Sequence, residues 1–190
     1  MKIRLASEIQ TDSIVDGEGM RTVIWTQGCS HNCKGCHNPE THSFEDGFLV
    51  DVEDVKKELS EIKHQDGITF SGGDPMFQPE PVLEIAKFCK EKGLNIWCYT
   101  GFTFEKLLEM SKKNESLKEL LENIDVLVDG KFELEQKSLN LYFKGSKNQR
   151  ILDIPKSLEK GIPVEIEKYK GIRTFEKYNS EKNINNGIFI

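Results

Sequence analysis

Long apolar runs are missing from this chain of 190 residues. No stretch approaches the roughly 20 consecutive apolar residues that a membrane-spanning helix needs. The first residues, from Met1 to Glu8, also lack the apolar stretch of a secretory signal peptide. We therefore expect no membrane association and a cytoplasmic location.

The chain also lacks an even number of cysteines and an excess of basic residues. The five cysteines are odd in number and three are crowded together, which argues against a disulfide framework and favours a reducing compartment. Asp and Glu outnumber Lys and Arg by 32 to 26, so the net charge of −6 argues against a nucleic-acid-binding surface. The length suits one domain with a substantial core, and it is shorter than the about 250 residues of a full eight-unit barrel.

The most informative feature that is present is a loop carrying Cys29, Cys33 and Cys36. Three thiolates can bind three irons of a cubane iron–sulfur cluster and leave the fourth iron open for another molecule. Gly28 and Gly35 allow the backbone of this loop to adopt conformations that other residues avoid. Two other interpretations remain open here, namely a disulfide pair and a zinc site that His31 or His37 completes.

Strand and helix patterns alternate along the chain. Predicted strands cover Arg21–Thr26, Gly67–Ser71, Asn95–Tyr99 and Ile124–Asp129, with a short last strand around 162–166. Predicted helices begin after Asp51, run from Pro79 to Lys92, and run from about Thr103 to Glu122. Strand and helix in alternation predict right-handed crossovers and an α/β fold with a parallel sheet.

Unusual turns follow the predicted strands. The second strand leads into Ser71-Gly72-Gly73-Asp74-Pro75, the third into Thr100-Gly101, and the fourth into Asp129-Gly130-Lys131-Phe132. Any one glycine after a strand is explained by a tight turn alone. Active-site residues of parallel sheets, however, lie in the loops at the carboxyl ends of the strands. We therefore expect these turns and the cysteine loop to share one rim of the sheet.

The cysteine loop resembles the cluster motif of the radical S-adenosylmethionine (SAM) enzymes. The spacing Cys-x3-Cys-x2-Cys is moderately specific, and the His-Asn-Pro that follows Cys36 is similar to the branch that activates anaerobic ribonucleoside-triphosphate reductase. Gly35 departs from the broad superfamily, in which many members carry an aromatic residue there. The resemblance implies a single-domain incomplete parallel β/α barrel, with a radical SAM domain over 1–167 and a tail over 168–190.

The resemblance also implies the site. Cys29, Cys33 and Cys36 would bind a [4Fe–4S] cluster. The Gly-Gly-Asp turn would hold the amino group of SAM, and Thr100 its ribose or carboxylate. Asp129 and Lys131, after the fourth strand, would help to fix its nucleoside or its carboxylate. The full set expected to bind SAM is Gly35, Cys36, His37, Gly72, Gly73, Asp74, Thr100, Asp129 and Lys131.

The implied activity is reductive cleavage of SAM followed by hydrogen abstraction from a backbone glycine of anaerobic ribonucleoside-triphosphate reductase. An electron donor such as flavodoxin or ferredoxin would be a second partner. Two alternatives remain. A small-molecule radical SAM enzyme such as 7-carboxy-7-deazaguanine synthase also carries a Gly-Glu-Gly near its start, as this chain does at Gly17–Gly19. A non-enzymatic zinc-binding module is the other.

Several residues have simpler interpretations. Cys89 and Cys98 fall on apolar stripes and are expected in the core. His42 and His64 have no partner at metal-ligand spacing and are expected at the surface. His31 fits equally well as a donor to a cluster sulfide or as a packing residue. The segment 139–150 is too irregular for a helix or strand, although its Gly-Ser-x-Asn-Gln-Arg resembles the same activating proteins.

Overall fold

The fold combines a mixed β-sheet with helices, and a computed structural model describes residues 1–172. The strands are β1 (Lys2–Leu5), β2 (Gln10–Ser13), β3 (Arg21–Thr26), β4 (Phe48–Asp51), β5 (Gly67–Gly72), β6 (Asn95–Tyr99), β7 (Val126–Asp129) and β8 (Arg150–Asp153). The α-helices are α1 (Val52–Glu61), α2 (Pro79–Glu91), α3 (Phe104–Ser111), α4 (Glu115–Asn123) and α5 (Ile154–Lys160). Short 3-10 turns lie between them.

The sheet has a parallel centre and antiparallel flanks. Its order is β4-β1-β3-β5-β6-β7-β8, with β2 also paired to β3. The pairs β3–β5, β5–β6 and β6–β7 are parallel, while β1, β2, β4 and β8 pair antiparallel. The strand path is open, since β4 and β8 end it on opposite sides. The predicted α/β fold and incomplete barrel are confirmed.

The parallel strands are buried on both faces, as crossover helices require. Along β6, Ile96 and Cys98 face the helices, and Cys89 of α2 joins them in the main core. Trp97, between them, faces the barrel interior and packs there with Tyr169. Cys89 and Cys98 are therefore core residues, as the sequence predicts.

Three element boundaries differ from the sequence prediction. The helix expected over 103–122 is two helices, because the Asn114 side chain accepts a hydrogen bond from the backbone N–H of Leu117 and starts α4 anew. The strand expected from Ile124 begins at Val126. The segment 162–166 runs beside β8 but forms only an isolated bridge, Leu152 to Glu165.

The sheet flanks and the end of the described chain were not anticipated. β1, β2, β4 and β8 have no counterpart in the prediction, and β8 begins within the segment that was expected to be irregular. Tyr169 is 5% exposed, so the packed part of the chain continues beyond residue 167. The domain limit at 167 stays a prediction. Most of the predicted tail, 173–190, lies outside the described residues. No helix in the described part is long and apolar enough to cross a membrane.

Candidate active site

The carboxyl ends of β3, β5, β6 and β7 meet at one rim of the sheet, as parallel pairing requires. The loops that follow them enclose a cavity of about 130 Å³. Residues from all four loops line it: Cys29, His31, Cys33, Cys36, His37, Asn38, His42, Ser71, Gly72, Gly73, Tyr99, Thr100, Gly101, Gly130, Phe132 and Gln149. The predicted gathering of the turns at one rim is confirmed.

The cysteine loop is held at its two ends by the backbone. Gly28 N donates to Thr41 O at 2.9 Å, and Cys29 N donates to His42 O at 3.1 Å. Gly28 has a φ of +102°, which a residue with a side chain rarely adopts. A Cβ at this position would also overlap the ring of Phe44. Gly28 is thus required both for its conformation and for its close packing.

All three thiols of the loop are free and partly exposed. Burial raises the pKa of Cys29 to about 11 and also raises the pKa of Cys33. Without metal these two thiols are therefore protonated at neutral pH, and metal binding must release their protons. Thiolate is the form that binds iron, so loading is coupled to proton loss.

The donor set fits an iron–sulfur cluster. Among residues 1–172, no three His, Cys, Asp or Glu side chains converge on a point where a single metal ion would bind. A cubane cluster requires no such convergence, because each thiolate binds a different iron. Three cysteines around a shared cavity, each partly open to it, match that requirement.

Asp74 joins three of the loops. Its Oδ2 accepts hydrogen bonds from Thr100 Oγ1 and Gly101 N, both at 2.9 Å, and lies 2.7 Å from His31 Nε2. Its Oδ1 accepts from Met76 N at 3.0 Å. The carboxylate is 1% exposed, and each of its oxygens accepts a hydrogen bond from a protein donor. Asp74 therefore shapes the site from beneath the cavity that the neighbouring glycines line.

Comparison with known proteins identifies the family to which the chain belongs. Residues 15–152 match a family model described as a 4Fe-4S single cluster domain. The anaerobic ribonucleoside-triphosphate reductase-activating protein of Haemophilus influenzae is 38% identical over 151 residues, covering 73% of this chain and 90% of the relative. The chain belongs to this family of activating proteins.

Two further relatives agree with that membership, and one solved structure adds little to it. The activating proteins of Escherichia coli K12 and of bacteriophage T4 are 35% and 32% identical, covering 90% and 86% of those relatives and 72% of this chain in each case. The crystal structure of QueE from Escherichia coli overlays 54% of each chain with a TM-score of 0.45 and 16% identity, too slight a likeness to bear on function.

As a member of the activating-protein family, the chain is a radical SAM enzyme whose cofactors are a [4Fe–4S] cluster and SAM. The predicted SAM-binding residues divide in their position. Cys36, His37, Gly72, Gly73 and Thr100 line the cavity. Gly35, Asp74, Asp129 and Lys131 do not.

The residues predicted after β7 are placed by other contacts. Both carboxylate oxygens of Asp129 accept hydrogen bonds from Arg150, and Oδ2 also accepts from Phe104 N at 2.7 Å. Asp129 is fully buried in that network, whereas Lys131 is exposed. Gly130 and Phe132 contribute to the cavity in their stead.

One of these three histidines differs from its sequence interpretation. The side chain of His31 is 8% exposed and packs edge-on against Phe102, with ring centroids 4.5 Å apart, which favours the packing role. His64 is exposed, as expected. The prediction for His42 was wrong, because the residue lines the cavity and its Nε2 is buried. Its spacing from the cysteines gave no signal of this.

Gln149 also escaped the sequence analysis, although it lies in the Asn-Gln-Arg string that resembled the family. Its Oε1 accepts from Gly145 N at 2.9 Å, and its Nε2 donates to Gly130 O at 3.1 Å. Gln149 therefore fastens the loop that precedes β8 to the loop that follows β7, at the edge of the cavity.

Proposed function

We propose that this chain activates an anaerobic ribonucleoside-triphosphate reductase by cleaving SAM reductively and abstracting a hydrogen atom from a backbone glycine of that enzyme. The observation that carries the proposal is the single cavity where Cys29, Cys33 and Cys36 face the Gly72-Gly73 turn and Thr100, in a chain of the activating-protein family. A flavodoxin or a ferredoxin would supply the electron.

The three cysteines would hold the cluster, which supplies the electron for cleavage of SAM. Gly72 and Gly73 would receive SAM, because they present backbone without a Cβ to a ligand. Neither position has room for a side chain, since a Cβ at Gly72 would lie 2.5 Å from Thr26 O and one at Gly73 would lie 2.5 Å from Gly28 O. Thr100 Oγ1 donates to Asp74 and accepts from Phe102 N at 3.1 Å, so one lone pair of this hydroxyl remains for a ligand donor.

The chain's own contribution is orientation and shielding. Phe132 lines the cavity and packs against His37, with ring centroids 4.8 Å apart. An apolar wall of this kind excludes water from a reactive site. No acid–base residue is required for hydrogen abstraction, and Asp74, the buried carboxylate below the site, is engaged by protein donors.

A second cavity of about 290 Å³ adjoins the first, and His37 and Tyr99 line both. Its rim carries Val15 and Leu139, which are 67% and 89% exposed. The glycine Cα of the partner must come within about 3–3.5 Å of the reacting carbon. This second cavity, which we call the rim groove, is where we place the partner's glycine loop.

The test is anaerobic reconstitution with iron and sulfide, followed by electron paramagnetic resonance (EPR) of the reduced protein with and without SAM. We expect a [4Fe–4S] signal that SAM shifts, slow SAM cleavage by the chain alone, and faster cleavage when the reductase is added. A carbon-centred radical should then appear on the reductase, and its hyperfine doublet should collapse when glycine is deuterated at Cα.

Two results would contradict the proposal. The first is a reduced-cluster spectrum that saturating SAM leaves unchanged. The second is cleavage that a small molecule such as a tetrahydropterin accelerates while the reductase has no effect, which would identify a small-molecule radical enzyme instead.

A further inference from the structure

Lysines without acidic partners surround the cysteine loop, in a chain whose net charge is −6. The loop itself, residues 28–38, and the segment 130–149 together carry five lysines and two glutamates. None of these five lysines forms an ion pair with a described residue, whereas nine lysines elsewhere in residues 1–172 do. The exposed members of the group are Lys34, Lys131, Lys137 and Lys147. Their charges are available to another molecule.

The segment after β7 lies against the outer side of the cysteine loop. A Cβ at Gly35 would lie 3.0 Å from Leu134 Cδ1, so the two residues are in contact. Burial raises the pKa of the Cys33 thiol, and the nearby positive charge of Lys131 opposes this rise. Neither Gly35, Leu134 nor Lys131 lines the cavity, so this contact faces away from the space assigned to SAM.

The same surface extends to both sides of the loop. Asn148 Nδ2 donates to Lys131 O at 2.8 Å, which brings Lys147, the preceding residue, close to Lys131. At the first cysteine, a Cβ at Gly28 would lie 2.6 Å from the ring of Phe44, so this ring flanks the start of the loop.

Apolar and basic side chains therefore occur together here. Phe44 is 50% exposed and Leu134 is 37% exposed, although both are large apolar residues. Apolar anchors with charged residues around them are typical of protein–protein interfaces. We call this surface the basic docking face, and it consists of Lys34, Phe44, Lys131, Leu134 and Lys147.

The proposed function leaves this face for one kind of partner. SAM would occupy the cavity, and the glycine loop of the reductase would occupy the rim groove. A protein that donates an electron must come close to the cluster by another side, and the outer side of the cysteine loop is such a side. An acidic donor would be repelled by the net charge of the chain, so a local positive surface is needed to steer it.

We propose that the basic docking face binds an acidic electron-carrier protein, which delivers one electron to the cluster. The reduced centre of the carrier loses this electron and the cluster gains it, with no bond made or broken. The inference rests on the proposed function, and it assigns electron delivery and reductase binding to different surfaces of the chain.

The first test measures the rate of cluster reduction in the reconstituted protein by anaerobic stopped flow, with a reduced flavodoxin of acidic isoelectric point. We expect Lys131→Glu/Lys147→Glu to lower this rate at least about tenfold at low salt, because it reverses the charges that steer the carrier. The difference should shrink at high salt. A neutral photoreduced deazaflavin should reduce both proteins equally fast, which excludes a change in cluster potential as the cause.

The control is Lys57→Glu/Lys63→Glu, which changes the net charge by the same amount. Both lysines are exposed and form no ion pair among the described residues. Lys57 is in α1, and Lys63 lies in the connection that leads to the amino end of β5, opposite the rim. We expect this variant to accept electrons from flavodoxin within about twofold of the unaltered rate.

The second test needs no variant. A carbodiimide joins lysines to carboxylates that lie against them, and mass spectrometry of the complex between the unaltered reconstituted protein and flavodoxin locates the joined residues. We expect cross-links at Lys34, Lys131 or Lys147. Cross-links confined to other lysines would overturn the inference, even if the double variant binds iron poorly.

The remaining outcomes separate the two proposals. Unchanged reduction by flavodoxin in Lys131→Glu/Lys147→Glu, with a SAM-responsive cluster, would overturn the docking face alone. With deazaflavin as the reductant, this variant should give the normal yield of glycyl radical on the reductase, and a loss there would assign the face to the reductase instead. A chain that binds no [4Fe–4S] cluster under any reconstitution condition would overturn the proposed function and this inference together.

Discussion

At the residue scale, the thiols divide into loop residues and core residues. We expect Cys29→Ala, Cys33→Ala and Cys36→Ala each to abolish cluster binding and SAM cleavage. Cys89→Ala and Cys98→Ala should retain both, because these fully buried side chains pack in the helix-side core. Their loss should cost at most about a few kcal/mol of unfolding free energy. Iron content per chain and the EPR signal provide the measurement. A folded Cys89→Ala protein without iron would contradict the three-ligand assignment.

Asp74 should be needed for the shape of the site. Asp74→Asn replaces one carboxylate oxygen by an NH2 group, so at least one of the donors that now face this carboxylate loses its acceptor. We expect a loss of about 2–4 kcal/mol in the free energy of unfolding, as for other broken buried charged networks. Urea unfolding of the iron-free protein measures this loss.

The matched control is Asp46→Asn, at an exposed loop position, which should stay within about 0.5 kcal/mol of the unaltered protein. An Asp74→Asn variant of unchanged stability would show that the carboxylate does not hold the three loops together.

Residues that recur in a compact motif were predictable, and residues placed by distant partners were not. The cysteines, Gly72, Gly73 and Thr100 lie within short strings at strand ends, and the structure puts them around one cavity. Asp129 lies at a strand end in the same way, yet its orientation depends on Arg150, 21 positions later. Sequence spacing carries no information about such a contact.

At the scale of elements, helix starts depend on single capping side chains. Asn114→Ala should destabilise the protein by about 1 kcal/mol, because Leu117 N loses its acceptor at the start of α4. Asn114→Asp should retain the cap and most of the stability. Glu122→Ala, at an exposed position of the same helix, is the control and should have little effect. Urea unfolding checks all three; equal stability of Asn114→Ala and the unaltered protein would contradict the capping role.

Arg150 ties α3 to the end of β7. It donates to both carboxylate oxygens of Glu105, at 3.0 and 2.8 Å, and lowers the pKa of Glu105 from 4.5 to about 2. A carboxylate whose pKa is lower in the folded protein stabilises the fold above its unfolded pKa, and this stabilisation is lost as the pH falls from about 4.5 towards 2.

Glu105→Gln should therefore lower the free energy of unfolding at pH 7, by less than about 1 kcal/mol because the Glu105 side chain is half exposed. The difference should shrink as the pH falls below 4.5. Urea titrations between pH 7 and pH 3 measure it, with Glu91→Gln as an exposed control. A difference that does not depend on pH would assign the effect to packing.

The parallel elements were predictable and the antiparallel ones were not. β3, β5, β6 and most of β7 are buried runs of apolar and β-branched residues, which sequence patterns reveal. β2 reads Gln-Thr-Asp-Ser and is mostly exposed, so nothing in its composition indicates a strand. It forms because β1 pairs with β3 only at Leu5–Thr26, which leaves the first residues of β3 free to pair with β2, a property of the assembled sheet.

At the scale of the whole molecule, we expect the rim groove to be needed for binding the reductase but not for folding. We expect Val15→Asp and Leu139→Asp to lower the yield of glycyl radical on the reductase at least about tenfold, the result of placing a charge in an apolar contact. The iron content and the slow SAM cleavage by the chain alone should not change, because both side chains are largely exposed.

The control for these variants is Ile162→Asp. Ile162 is 59% exposed and lies near Val164, which pairs with the end of β8 away from the site. EPR quantitation of the reductase radical measures the yield. If Ile162→Asp is as harmful as Leu139→Asp, the loss reflects general surface charge and the rim groove is not the docking site.

The contacts of Asp74 have a consequence for biosynthesis. Gly101, which donates to Asp74, is 65 positions after Cys36 in the chain. At about 5–20 residues per second, the ribosome makes it about 3–13 s after the last cysteine of the loop. For that interval the three thiols have been made but their loop lacks its final support. We therefore expect stable cluster binding only after β6 has been synthesised, and until then surrounding reductants must protect the thiols from oxidation.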